Sequence, residues 1–101
     1  MPPAASGFLV VRREDGFGDV YPLQDGHLYT AGRSPDSRIV LKDDLCSRRH
    51  AEFYKDADGW VLRDLGSLNG SQINDRVARG DTHLKVNDAV KFGRTVLVYV
   101  E

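Results

Sequence analysis

The chain has 101 residues, enough for one hydrophobic core and too few for two, and its 14 basic and 15 acidic residues leave a formal charge of −1. That balance gives no global field for nucleic acid or an anionic membrane surface, so neither is expected as a partner. A single cysteine, Cys46, excludes an internal disulfide, and the N-terminus lacks a basic n-region and a long apolar run, so an intracellular setting is predicted.

Residues 1–7, Met-Pro-Pro-Ala-Ala-Ser-Gly, read as a flexible N-terminal segment ahead of one domain over 8–101. From there apolar and polar residues alternate at period two, and no window sustains the i, i+3, i+4, i+7 spacing of a helix. Strands are predicted over Phe8–Arg13, Asp19–Leu23 and His27–Ala31, with Asp15-Gly16 and Asp25-Gly26 as the turns of two hairpins. Arg38–Leu41 is a short strand. Arg49–Lys55 then places Ala51 and Phe53 on one face, Asp58-Gly59 supplies a hairpin turn, and Trp60–Asp64 places Trp60 and Leu62 together. Ser71–Asn74, Thr82–Val86, Ala89–Phe92 and Val96–Val100 complete about eleven short strands. In the last, Val96, Val98 and Val100 share a face and are expected to meet the core. The pattern predicts an all-β fold, a β-sandwich of two antiparallel sheets.

Three polar clusters fall in turns between these strands: Gly32-Arg33, Ser47-Arg48-Arg49-His50 and Gly66-Ser67-Leu68-Asn69-Gly70. A sandwich can bring them together at one end. Their guanidinium groups, hydroxyl and carboxamide, with no general base among them, suit the holding of an anion rather than chemistry. From Arg33 to Arg49 five bases face three acids, a local balance of +2. Taken singly the clusters mean less: a solvated arginine, a turn serine, a structural histidine and a tight Asn-Gly turn. Ser47, His50 and Asp64 make a nominal hydrolase triad, and Cys46 with His50 a thiol dyad, yet no G-x-S-x-G nucleophile elbow is present and catalysis is not expected. His27, His50 and His83 are dispersed, so neither a metal nor a cofactor is expected.

In this order and at these separations the clusters resemble the forkhead-associated (FHA) domain, a phosphothreonine-recognition module whose pattern is Gly-Arg, then Ser-x-x-His, then Ser-x-Asn-Gly. The resemblance runs from about residue 8 to residue 100, with Leu84 to Gly93 matching the family's closing hairpin. It implies an SMAD/FHA-like sandwich in which Arg33 and Ser47 bind the phosphate, often joined by Arg48, while Asn69 hydrogen-bonds the peptide backbone. Gly32, His50, Ser67 and Gly70 match motif residues that shape and brace the loops. Leu68, counted with the phosphopeptide-binding positions, stands where many members carry Thr, and Asn87-Asp88 replaces a Gly-Asp pair at the opposite end. Strand alternation sends Arg49 to the other face from Arg48, and Asp43 and Asp44 read as solvated loop acids. The implied partner is a phosphothreonine-containing protein or peptide, and the implied setting is one module of a longer multidomain protein. The rival reading is an FHA-type scaffold or dimerisation surface that ignores phosphate.

Overall fold

A computed structural model describes residues 5–101, and every regular element among them is a strand. In chain order these are β1 (Ala5–Arg13), β2 (Gly16–Gln24), β3 (Tyr29–Gly32), β4 (Ile39–Val40), β5 (Ala51–Asp56), β6 (Gly59–Asp64), β7 (Ser71–Ile73), β8 (Arg76–Val77), β9 (Asp81–His83), β10 (Ala89–Phe92) and β11 (Thr95–Val100). One sheet has the order β2-β1-β11-β10-β7-β8 and the other β4-β3-β5-β6-β9. All pairs are antiparallel except β3 with β4.

The sheets meet over Trp60, Tyr99, Phe53, Phe92, Leu9, Leu23, Ile39 and Leu97, all buried. Each such side chain contributes roughly 1.5–3 kcal/mol of burial free energy. Ala51, Phe53, Trp60 and Leu62 lie on the inner face, as their alternation predicts. Strand β11 reverses its expectation. Leu97 and Tyr99 fill the core, whereas Val96, Val98 and Val100 are half-buried on the outer face, Val98 opposite Val10 and Val100 opposite Phe8. Both faces of this strand are apolar, so the larger side chains take the interior volume and the β-branched ones stabilise the outer face by cross-strand contact.

Other boundaries also differ from the sequence reading. Strand β1 starts at Ala5, because Ala5 and Gly7 pair with Gln24 and Leu23; the rest of the expected flexible segment, residues 1–4, lies outside the described residues. Asp25-Gly26 does not close a hairpin: it carries the chain from β2 in one sheet to β3 in the other. Likewise Leu84 to Gly93 is not a hairpin, since β9 pairs with β6, and β10 with β7 and β11; the closing hairpin is β10–β11. Asn87 is the passage between them, with a φ of 74° that asparagine tolerates better than most residues. Strand β8, only two residues long, is too short to announce itself by period.

The topology gathers the three clusters. Ala31 in β3 is opposite Ala51 in β5, and Ala51 is opposite Asp64 in β6, so the end of β3, the start of β5 and the end of β6 share one edge of the sandwich. Ser71, which opens β7, joins them from the facing sheet.

Candidate functional site

The first two clusters are tied by main chain. Arg33 N donates to Ser47 O (3.0 Å), Ser34 N to Arg48 O (3.1 Å) and His50 N to Ala31 O (2.9 Å), which extends the β3–β5 pairing into the loops. Gly32 sits under this crossing: a Cβ there would lie 2.1 Å from Arg48 O, so close approach requires glycine. Gly70, by contrast, has open space around it and a φ of +78°. There the backbone conformation selects glycine.

His50 is fully buried and bridges the second and third clusters. Its Nδ1 accepts from Ser47 N (3.1 Å), so the neutral ring carries its proton on Nε2 and donates to Gly70 O (2.8 Å). The ring packs on Phe92 at 4.9 Å between centroids. Beside it, Asp64 accepts from Ser67 N (2.8 Å), Ser67 Oγ (2.6 Å) and Ser71 Oγ (2.5 Å). Burial alone would raise the Asp64 carboxyl, but those bonds and the neighbouring His50 outweigh it and hold the pKa below the ordinary value.

Above this brace the rim residues are only partly engaged. Arg33 Nε donates to Cys46 O (2.6 Å), and its two Nη groups have no partner among the described residues. Ser47 Oγ accepts from Leu68 N (3.0 Å), which leaves its own hydrogen to donate. Asn69 Nδ2 donates to Leu45 O (2.8 Å), leaving Oδ1 as an acceptor. Arg48 is exposed, and Leu68 is 89% exposed. Arg49 lines a different depression, with Thr30, Ser34, Asp36 and Ser37. The rim therefore offers guanidinium, hydroxyl and carboxamide groups with capacity in reserve, the donor set an anionic extended chain needs.

Asp43 is not a solvated acid. One carboxylate oxygen accepts from Leu45 N (2.9 Å), the other from Arg94 N (2.7 Å) and Thr95 Oγ1 (2.9 Å), which fastens the serine loop to the β10–β11 turn. Burial opposes its ionisation, yet these bonds hold its pKa below the ordinary value. Gly93, at the turn, has a φ of +59° and room for no Cβ, which would lie 2.8 Å from that of Leu45. Asp44 is exposed. The roles of Asp43 and Asp64 went unread in the sequence, although an Asp two residues before Leu45 and another three before Ser67 are spacings at which a carboxylate bonds its own loop.

Neither nominal catalytic set is assembled. His50 receives the backbone N–H of Ser47 rather than its hydroxyl, and its other nitrogen is committed to Gly70 O. Cys46 Sγ donates to Phe92 O (3.3 Å); burial first, and Asp43 second, push its thiol pKa up to about 12. Such a thiol is not a nucleophile at neutral pH. His27 contacts Arg38, and His83 binds Asp56. Among the described residues one group of donors lies close enough to share an ion: Asp56, Asp58 and His83, all exposed around the β5–β6 turn at the other end.

Known proteins resemble the chain in sequence and in fold. Residues 29–93 match the family model of the FHA domain. A relative from Corynebacterium diphtheriae, the oxoglutarate dehydrogenase inhibitor, is 43% identical over 100 residues, covering 99% of this chain and 68% of its own. Among solved structures, the FHA domain of the CT664 protein from Chlamydia trachomatis superposes with a TM-score of 0.87 at 30% identity, covering 94% of this chain and 96% of that one. A further FHA domain, solved for an analysis of phosphothreonine-dependent FHA domain interactions, matches at 0.80 and 29% identity, with coverages of 93% and 96%.

Proposed function

The chain belongs to the FHA-domain family, and from that premise we propose that its loop end docks a phosphothreonine-containing segment of a partner protein, without catalysis, metal or cofactor. The observation that carries this is the partial engagement of the rim: Arg33, Ser47 and Asn69 each give the scaffold one bond and keep another group free.

A phosphothreonine brings about −1.5 to −2 charges and three acceptor oxygens. Arg33 meets two of those oxygens through its Nη groups, Ser47 donates its hydroxyl, and Arg48 adds a second positive charge. Asn69 Oδ1 accepts a backbone N–H of the bound segment and so holds it without regard to side chain. Leu68, next to Asn69, is exposed on the rim and offers the phosphate no hydroxyl. The likeness to a relative named as an enzyme's inhibitor supports a regulatory role exerted through protein contact, and the free buried thiol of Cys46 fits an intracellular setting.

Calorimetric titration with matched phosphothreonine, phosphoserine and unphosphorylated peptides from an oriented library tests the reading. The phosphothreonine form should bind at least about tenfold more tightly than the plain one, the scale of a lost charge pair. The phosphoserine form should fall between them, because a missing methyl is worth about 1–3 kcal/mol. Equal affinity for phosphorylated and plain peptide would replace this reading with the phosphate-independent scaffold.

A further inference from the structure

Where the free edges of the two sheets face each other, β8 of one and β9 of the other, a cleft of about 570 Å³ opens between them. Its rim carries Arg76, Arg79 and Lys85, all exposed, and none of the three is paired with a carboxylate among the described residues. Asp88 is the sole carboxylate in the lining, and both its oxygens are engaged: one accepts from Lys85 N (2.8 Å), the other from Asn74 Nδ2 (2.9 Å). The cleft thus holds a balance of +2 in a chain whose total is −1. Three apolar side chains also line it. Ile73 and Ala78 pack against the core there, and Val77 is 60% exposed.

Hydrogen bonds tie the wall of the cleft to the loop end. Ala78 N donates to Ser71 O (2.9 Å), and Ser71 Oγ binds the same Asp64 carboxylate that fixes Ser67. Arg79 follows directly.

We propose that the cleft holds an acidic flank of the phosphothreonine segment, its carboxylates meeting Arg76, Arg79 and Lys85 while apolar side chains between them rest on Val77. The proposal builds on the phosphopeptide reading above. An extended chain, which occupies a lane about 4.8 Å wide between strands, suits a seam flanked by two short edges. A nucleic acid suits it less well: affinity for a polyphosphate backbone grows with the number of phosphates neutralised, and here there are three cations with apolar side chains between them.

The experiment compares phosphothreonine peptides that share one core sequence and carry a run of glutamates, or of serines, on the N-terminal or the C-terminal flank. At low salt one of the glutamate-flanked peptides should bind about three- to tenfold more tightly than its serine counterpart, the range expected of a few exposed charge contacts. The Arg76→Gln/Arg79→Gln/Lys85→Gln variant, altered only at exposed positions, should lose that difference and bind the serine-flanked peptide as the native chain does. Equal affinity of all flanks for the native chain overturns the cleft. If no phosphopeptide binds at all, the phosphothreonine reading has failed, and the cleft is judged by NMR with an unphosphorylated polyglutamate peptide. Amide shifts confined to residues 73–85 support an acidic-peptide site; no shifts overturn it. A single-stranded oligonucleotide that moves the same resonances at lower concentration than the peptide overturns the occupant.

Discussion

At the loop end two layers of polar residues lie one above the other and differ in how fully their bonds are used. In the lower layer His50, Asp64 and Ser71 are matched to one another and to the backbone, and no buried side-chain nitrogen or oxygen among the described residues lacks a partner. In the upper layer Arg33, Ser47 and Asn69 each hold a group in reserve. A closed network fixes a shape; an open one meets a ligand. On the proposed function, Ser47 and His50, three residues apart, therefore carry separable burdens, the first of binding and the second of stability.

The strongest way to break this division is His50→Ala, which removes a buried ring and both bridges between loops. We expect a stability loss of roughly 3–5 kcal/mol by chemical denaturation, with peptide affinity falling only because the loops lose their shape. Next is Arg33→Ala. Its binding loss should be about 2–5 kcal/mol by titration, with a thermal midpoint close to that of the native chain. A clear drop in the midpoint would show that the rim also supports the fold.

Acid sharpens the comparison further. The Asp64 and Asp43 carboxyls lie below their ordinary pKa in the folded chain, so each contributes stability that is complete above the unfolded value of about 4 and is lost as pH falls through the depressed folded value. Stability measured by denaturant should therefore be level near neutrality and decline in acid, and Asp64→Asn should flatten that decline. A decline unchanged in the variant would remove Asp64 from the brace. The smallest effect belongs to Leu68→Thr. An added hydroxyl beside the phosphate should tighten binding by less than about tenfold. Weaker binding would mean that Leu68 itself touches the peptide.

Much of this was legible from residue order, because the three clusters are local patterns and alternation marks the inner faces of β5 and β6. Strand β11 was misread because valines fill one of its faces while Leu97 and Tyr99 fill the other, and periodicity alone does not say which face is inward. Asp25-Gly26 was misread because the same turn chemistry serves a hairpin and a crossing between sheets. Asp43 and Asp64 were overlooked as anchors for another reason. Their partners include Arg94 and Ser71, and proximity across the sandwich has no signature in a linear pattern.

Asn69 carries a consequence of a different kind. An asparagine followed by glycine is the pairing at which a backbone amide nitrogen most readily attacks the side-chain carbonyl and expels ammonia, and asparagines are among the residues least tolerant of heat. Hydrolysis of the resulting ring would leave a carboxylate beside Arg33 and Ser47, where the phosphate is proposed to sit. The bond from Asn69 Nδ2 to Leu45 O restrains the carboxamide while the loop is formed. On the proposed function, stored material would then yield a more acidic species that has lost the bond to Leu45 O and holds its phosphopeptide less tightly.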